Sequence, residues 1–281
     1  MIRYLFDILI RNNLNDFVGN PIINNLIWLS KEILAWSSIE LPWTLGDSKM
    51  QNVLFEYCTF RVNHFKLCNW LLCNSFYELE PLACNLIPGI IPVGPLLLGN
   101  QLGNHARSFW PQDSTCLTGL DKQPVGSVIY VAFGSFATFS QQQFDELALG
   151  LELISQPFLW VAPQEKVLDH PSIACFLSHC GWNSTLEGIS MGVPFLCRPY
   201  FADQFHNKSY ICDAWKIGLG LTPDENGFIT RHEIKTKIET LLSDYVIKKN
   251  ALKLKEMAKK SVTEVGSSFN NFESFIEQIK H

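Results

Sequence analysis

The segment FLSHCGWNSTLEG, residues 176–188, places several side chains that can bind a ligand directly after an apolar run. His179, Asn183 and Ser184 supply imidazole, amide and hydroxyl groups within six positions of one another. Such groups donate hydrogen bonds to phosphate oxygens. If a strand ends before His179 and a helix follows the turn, the backbone N–H groups at the helix start would favour a phosphate at the same place. The segment therefore predicts a phosphate-binding turn.

Two features of the same segment can be explained without a ligand. Ser184 and Glu187 match the S-x-x-E pattern of a capping box, in which the two side chains serve to start a helix. Trp182 can be explained as a core residue. Because one side chain can both cap a helix and line a site, the capping box and the phosphate-binding turn remain open together.

A zinc site is the third interpretation of this part of the chain. Cys175, His179 and Cys180 are of the residue types that bind zinc. However, a structural zinc site normally has a second closely spaced pair of ligands, and alternate residues of a strand point to opposite faces. We therefore predict no metal site.

The elements that position the turn are predicted from the pattern downstream of Ser127. Four apolar runs are predicted to be strands: SVIYVAFG, PFLWV, ACFLS and VPFLCRP. Helical patterns lie between and after them, with Ser140 as one N-cap and Thr230 as another, the latter in a capping box with Glu233. Strands this apolar, separated by helices, indicate an α/β fold with a parallel sheet that is covered on both faces.

The predicted sheet has a second turn at which a ligand could bind. Ligands bind at the carboxyl ends of the strands in open α/β sheets. The turn AFGSFA ends the first strand, where Gly134 permits a close backbone approach and Ser135 supplies a hydroxyl. This turn and the turn at His179 are therefore expected at the same edge of the sheet.

The part of the chain before Ser127 has a weaker pattern. WLLCNSFYELE suggests a buried strand that runs into a turn, and IPGIIPVGPLLLGN, which is rich in Pro and Gly, suggests an extended linker. We therefore place a domain boundary between Gly89 and Thr118.

Composition excludes several classes of partner. A net charge of -5 and a pI near 5.8 leave no basic surface for nucleic acid. No apolar run is long enough for a membrane helix, and the N-terminus is a poor signal peptide. Nine cysteines without the spacing of a small disulfide framework indicate reduced thiols. We predict a soluble, cytoplasmic protein, in which the sequons at Asn183 and Asn207 are not glycosylated.

Residues 162–204, from APQEKVL to FADQ, closely resemble the signature box of plant UDP-dependent glycosyltransferases of family 1. CNSFYELEP and LDKQPVGSVIYVAFGS fit the same family. The resemblance implies a GT-B type fold with two Rossmann-like domains. Residues 1–118 would be a remnant of the N-terminal acceptor domain and the linker. Residues 119–281 would be the UDP-sugar-binding domain with its covering C-terminal helices.

The resemblance also implies roles for ten residues of the donor site. Those expected at the diphosphate are Ser135, His179, Asn183 and Ser184. Those expected at the nucleoside are Ala162, through its backbone to uracil, and Gln164 and Glu187, at the ribose. Those expected at the sugar are Trp182, Asp203 and Gln204, the last of which favours glucose. The UDP-sugar is a co-substrate, and no cofactor or metal is implied.

This chain departs from the family pattern in its catalytic residues and in its contact with uracil. The family has an N-terminal histidine that acts as general base and an aspartate that orients it, and this chain begins after both, so no catalytic residue is assigned. The tryptophan that stacks on uracil corresponds to Val161. A loop, a helix and a strand that should precede the box are missing, and we expect this deletion to remove a strand from the middle of the sheet.

Two further positions depart from the family by type of residue. Arg198 and Gly119 stand where the family usually carries tryptophan. A charge next to a buried strand is costly unless it is paired, and Asp203 is the candidate partner of Arg198.

The sequence thus favours two hypotheses of different classes. The first is a glycosyltransferase that moves a hexose, expected to be glucose, from a UDP-sugar to a hydroxyl of a small lipophilic acceptor with inversion. The second is a catalytically inactive fragment that binds nucleotide sugars, or a truncated product without function.

Overall fold

The computed structural model describes residues 26–28, 31, 33–44, 46–65, 67–87, 89–96, 115–134, 137–160 and 165–280. The described residues belong to two compact units that interleave along the chain. The first unit contains Met1–Gly99, Phe201–His206 and Met257–His281, and the second contains Asn100–Tyr200 and Asn207–Glu256. The boundary between residues 118 and 119 remains a prediction.

Short strands and longer helices alternate along the described residues. The strands are β1 (Leu26–Ile27), β2 (Trp36–Ser37), β3 (Leu71–Cys73), β4 (Ile90–Pro92), β5 (Val128–Ala132), β6 (Phe158–Trp160), β7 (Ile173–Ser178), β8 (Phe195–Cys197) and β9 (Gly218–Gly220). The helices are α1 (Ser48–Phe65), α2 (Pro81–Leu86), α3 (Thr115–Leu120), α4 (Gln141–Glu152), α5 (Glu165–Leu168), α6 (Trp182–Met191), α7 (Gln204–Ser209), α8 (Arg231–Ser243), α9 (Tyr245–Ser261) and α10 (Ser267–Ile279). None of the helices in these ranges is long and apolar enough to cross a bilayer.

The second unit is built on a parallel sheet with the strand order β6-β5-β7-β8-β9. All five residues of β5 are buried, as a strand covered on both faces should be. On one face, α4 and α8 contribute Leu147 and Ile234 to a core that includes Val131 and Leu177. On the other face, α6 packs on the ring of Phe195, which lies against Gly188 of α6. The predicted α/β class and the Rossmann-like parallel sheet are therefore confirmed.

The expected gap in the middle of the sheet is absent from the five strands that the structure describes. β5 pairs directly with β7, and β6, the last strand before the deletion point at Val161, pairs with β5 alone. The expectation that two remaining strands would lose a partner between them was wrong, because the chain leaves β6 at the edge of the sheet.

The predicted helix boundaries depend on local chemistry, and most are confirmed. Ser140 Oγ accepts a hydrogen bond from Gln143 N at 3.2 Å, and Gly192 ends α6 with a left-handed φ of 69°, which glycine adopts without strain. Thr230 Oγ1 accepts from Glu233 N at 3.2 Å. The other half of that capping box differs from the prediction, because Glu233 Oε1 accepts a hydrogen bond from Thr222 N at 3.0 Å.

A buried polar clamp holds α8 against α4. Gln143 exchanges two hydrogen bonds with the backbone of Ile229, at 2.9 and 3.0 Å. One turn later, Glu146 accepts from the backbone N–H of Arg231 at 2.7 Å and forms an ion pair with its guanidinium. The hydrogen bonds from the Arg231 side chain, followed by that from its backbone, lower the pKa of the Glu146 carboxyl to about 2 from its usual 4.5.

This clamp predicts a specific acid sensitivity. A carboxyl whose pKa is lowered by folding stabilises the native state fully above its unfolded pKa, near 4.5, and loses that contribution as the pH falls through about 2. We expect Glu146→Gln to melt below the parent chain at neutral pH, and the difference to shrink steadily from pH 4.5 towards pH 2. Thermal melts of both chains across this range measure the difference. A difference that is independent of pH would show that the ion pair contributes nothing.

The first unit contains two small sheets. β1 and β2 are antiparallel, and β3 and β4 are parallel. The segment predicted to be an extended linker therefore includes a strand, β4, on which α10 packs. Asn271 Nδ2 of α10 donates to the Pro92 carbonyl at 2.8 Å, and Ser268 Oγ donates to the Gly94 carbonyl. Side chains of α10 thus satisfy two backbone carbonyl groups at the end of β4.

Candidate functional site

The strand order of the second unit creates a point at which the connections diverge. From β5 the chain passes through α4 to β6 on one side, whereas from β7 it passes through α6 to β8 on the other. Ligands bind in the crevice that such a divergence opens at the carboxyl ends of the two strands. Gly134 and His179 follow β5 and β7 closely, so the structure places the two predicted turns at this edge.

The His179 ring lies between two glycines. A Cβ at Gly134 would lie 2.9 Å from His179 Nε2, and a Cβ at Gly181 would lie 2.5 Å from the same atom. Real Cβ atoms do not approach another atom so closely, so a side chain at either position would displace the His179 ring. Gly134 also has a left-handed φ of 71°, which favours glycine. Gly134 was predicted to allow the close approach of a ligand; the approach that the structure shows is that of His179.

The start of α6 has no side-chain cap. Gly181 is the N-cap, and the first intrahelical bond runs from Thr185 N to the Gly181 carbonyl at 2.9 Å. Because the N–H groups of a first helical turn have no acceptor within the helix, this uncapped turn can donate to an anion. The macrodipole of the helix favours negative charge at the same place.

The predicted capping box of Ser184 and Glu187 is wrong. The helix begins at Trp182, so Ser184 is its third residue and is buried inside the first turn. An S-x-x-E pattern caps a helix only where its serine precedes the first helical residue, and here Gly181 holds that place. The capping box therefore does not explain Ser184.

Asn207 is a component of the site that the sequence did not reveal. This residue of α7 is only 6% exposed, and its Nδ2 donates to the Cys180 carbonyl at 2.9 Å. Ser178 Oγ accepts from Cys180 N at 3.1 Å. Cys180 has a left-handed φ of 64°, a strained conformation that these two contacts hold in place. The sequence showed Asn207 only as a sequon, because no local pattern links residues 27 positions apart.

Five of the ten predicted donor-site residues lie on one turn and helix. His179 precedes α6, and Trp182, Asn183, Ser184 and Glu187 lie within it. Asn183 is exposed and Glu187 is half-buried; residues four apart occupy the same helix face. Asn183 and Glu187 therefore share one face of the helix that follows His179.

The other five predicted residues lie elsewhere or outside the described residues. Asp203 and Gln204 belong to the first unit. Gln204 is 5% exposed, and its Oε1 accepts from Phe201 N at 3.0 Å. The ring of His206, two residues further along, stacks on that of Trp36 with 3.7 Å between the ring centroids. Burial lowers the pKa of His206 to about 3. The remaining three, which lie outside the described residues, are Ser135, Ala162 and Gln164.

Arg198 contacts an aromatic ring within its own unit, and its expected ion pair with Asp203 stays a prediction because Asp203 belongs to the first unit. The partner that the structure shows is the ring of Phe139, whose centroid lies 4.6 Å from Arg198 Cζ. The cation is thus placed over an aromatic face, which attracts it through the quadrupole of the ring.

The nine cysteines are all free thiols. Within the described ranges, no three His, Cys, Asp or Glu side chains come together as a metal site would require.

Comparisons with known proteins agree with these features. The family model described as UDP-glucoronosyl and UDP-glucosyl transferase matches residues 160–264. UDP-glycosyltransferase 83A1 of Arabidopsis thaliana is 43% identical over 296 positions, which cover 97% of this chain and 64% of the relative. The chain therefore spans less than two thirds of the length of that relative. The match is also longer than the 281 residues of this chain, so the relative has residues without a counterpart here.

Solved structures give the same result for the fold. UGT2 of Phytolacca americana, complexed with UDP-2fluoro-glucose and pterostilbene, has a TM-score of 0.82 at 27% identity, over 98% of this chain and 67% of that one. Os79 from O. sativa, in complex with UDP, has a TM-score of 0.74 at 31% identity, over 82% of this chain and 60% of that one. Together with the switch-point geometry and the matched signature box, these similarities show that the chain belongs to the plant UDP-glycosyltransferases of family 1, whose α/β fold of GT-B type it shares.

Proposed function

We propose that the carboxyl edge of the five-stranded sheet binds a UDP-sugar. On this proposal, the bound UDP-sugar donates a hexose, namely glucose, to a hydroxyl of a small lipophilic acceptor. The transfer proceeds with inversion. The observation that supports it best is the position of His179, held between Gly134 and Gly181 next to the uncapped start of α6. The Phytolacca relative, which was solved with a UDP-sugar analogue and a small aromatic compound, supports the same classes of donor and acceptor.

Each part of the proposed site has a chemical task. The N–H groups at the start of α6 and the imidazole of His179 would donate to the diphosphate, whose charge grows as the bond to the sugar breaks. These groups can neutralise the leaving group without a metal ion, so the UDP-sugar is the co-substrate and no cofactor is proposed. Glu187 would accept hydrogen bonds from the ribose hydroxyls.

The roles of the remaining predicted residues are part of the same proposal. Ser135, Asn183 and Ser184 would contact the diphosphate, and Ala162 and Gln164 the nucleoside. Trp182, Asp203 and Gln204 would contact the sugar, since carboxylate and amide groups suit vicinal hydroxyls. No general base is assigned, so binding of the donor does not by itself imply transfer of its sugar. Donor binding and turnover are therefore measured separately.

The test is calorimetric titration of the full chain with UDP-glucose, after a thermal melt has shown cooperative folding. We expect saturable binding. We expect Glu187→Ala to weaken it about tenfold to a hundredfold, because hydrogen bonds to a charged group contribute about 1.5–3 kcal/mol.

A matched control removes a carboxylate of the same type away from the site. Glu239 is an exposed residue of α8 that pairs with Lys235 at 3.8 Å, and Glu239→Ala should leave the affinity unchanged. Absence of binding by a folded chain, or equal affinity in Glu187→Ala, would reject the proposed site. Saturable binding without release of UDP in the presence of acceptors would favour the inactive nucleotide-sugar binder.

A further inference from the structure

Arg198 is the neighbour of His179 on the next strand. Ser178 of β7 is in register with Cys197 of β8, and His179 and Arg198 are the residues that directly follow this last pair. Arg198 N continues the pairing by donating to the Ser178 carbonyl at 2.8 Å. Neighbouring strands lie about 4.8 Å apart, so the two backbones carry His179 and Arg198 side by side at the edge where the donor is proposed to bind.

The two side chains also leave the sheet on the same face. Leu177 and Leu196 are register partners, and both belong to the core under α4 and α8. Side chains along a strand alternate between the two faces, and the same alternation carried one residue beyond each strand puts the residues two positions further on at this face. His179 and Arg198 are these residues.

The guanidinium of Arg198 has unmet hydrogen-bonding capacity. Its Nε is buried and has no hydrogen-bond partner among the described residues, and the ion pairs in that part of the chain do not include it. Burial lowers the pKa of the guanidinium from its usual 12.5, and Tyr200 opposes that shift. The group stays protonated at neutral pH because arginine titrates only in strong base.

The contact with Phe139 does not satisfy this group. The face of an aromatic ring attracts the cation. It does not accept hydrogen bonds from the guanidinium N–H groups, because these lie in the plane of the guanidinium. Tyr200, whose electrostatic influence reaches Arg198, pairs its hydroxyl with Thr138 Oγ1 at 2.9 Å. A half-buried cation with an unsatisfied donor is costly unless an anion completes it, and the edge that Arg198 occupies is the proposed donor site.

We propose that Arg198 binds the diphosphate of the UDP-sugar, next to His179. This inference rests on the proposed function. The planar fork of arginine matches phosphate oxygens with two parallel hydrogen bonds. The family usually carries tryptophan at this position, so the contact would distinguish this chain from its relatives.

The experiment is titration of the full chain, Arg198→Met and Arg198→Lys with UDP at several salt concentrations. Methionine keeps much of the length and apolar volume but removes the charge. We expect Arg198→Met to bind UDP at least about tenfold more weakly, and Arg198→Lys to recover part of the loss, because lysine keeps the charge without the fork. The affinity of Arg198→Met should also depend less on salt, because one screened attraction has been removed.

A control separates binding from packing. Phe139→Leu removes the ring under the guanidinium and keeps the charge, so its UDP affinity should stay within a few-fold of the parent. Equal UDP affinity in a folded Arg198→Met chain would overturn the inference. If Arg198→Met does not melt cooperatively, Arg198→Lys decides, and binding as tight as that of the parent overturns the forked contact.

The failure of this inference is distinguishable from failure of the proposed function. If the parent chain itself does not bind UDP, the proposed function fails. If the parent binds UDP and the arginine variants bind it equally well, only the role of Arg198 fails.

Discussion

Gly188→Ala should lower the stability of the second unit by about 2 kcal/mol. A Cβ at Gly188 would lie 2.2 Å from Cζ of Phe195, a fully buried ring on β8, so α6 would have to move away from the sheet. Overpacking of this kind costs about 1–3 kcal/mol and sometimes more. Alanine is favoured over glycine within a helix by about 1 kcal/mol, which offsets part of the loss.

Thermal melts of Gly188→Ala and the parent chain measure this effect. For a unit of this size, 1 kcal/mol corresponds to about 2–4 °C, so we expect the midpoint to fall by about 4–8 °C. Gly119→Ala is the matched control, because Gly119 is also helical and a Cβ there would meet nothing within 4 Å. That variant should melt at the same temperature as the parent or slightly higher.

A second substitution identifies the cause. Phe195→Leu removes Cζ, the atom that the new methyl group would strike. The double variant should therefore be more stable than the sum of the two single changes predicts, because residues in contact couple. Strict additivity, or a rise in stability for Gly188→Ala alone, would contradict the close packing of α6 on β8.

Gly181→Ala should cost most of the UDP affinity that His179 provides. The φ and ψ of Gly181, -61° and 147°, are allowed for alanine, so the backbone can keep its path. The new Cβ would instead lie 2.5 Å from His179 Nε2 and force the ring to turn. Loss of a hydrogen bond to a charged group costs about 1.5–3 kcal/mol, so UDP should bind about tenfold to a hundredfold more weakly.

The measurement is a double-mutant cycle with UDP. His179→Ala alone should weaken binding by a similar factor, and Gly181→Ala combined with His179→Ala should be no weaker than His179→Ala. That pattern is expected because the methyl group has no ring to displace once the imidazole is gone. A folded Gly181→Ala chain with the affinity of the parent would mean that His179 does not contact the diphosphate.

The parts of the fold that could be predicted are those that neighbouring residues determine. The buried strands β5, β7 and β8 are apolar runs, and their periodicity is sufficient evidence. The caps at Ser140 and Thr230 use side chains three residues from the N–H groups that they satisfy. In contrast, β9 has the sequence GLG and no strand propensity, and only its pairing with β8 makes it a strand.

The parts of the site that could not be predicted depend on residues distant in sequence. Gly134 and Gly181 were visible as glycines, but that both fit around His179 depends on the pairing of β5 with β7. Asn207 reaches Cys180 across 27 residues. The S-x-x-E pattern at Ser184 misled because the same four letters occur inside a helix as well as before one, and only the position of Gly181 distinguishes the two cases.

The position of β6 at the rim of the sheet has a consequence for how this gene family can change. Within the described strands, β5, β7 and β8, whose carboxyl ends lead to Gly134, His179 and Arg198, all lie inward of β6. A lineage that gains or loses coding sequence after β6 alters the width of the sheet without shifting the register of the strands that carry His179. The rim can therefore change in length while the pairing of β5, β7 and β8 stays the same.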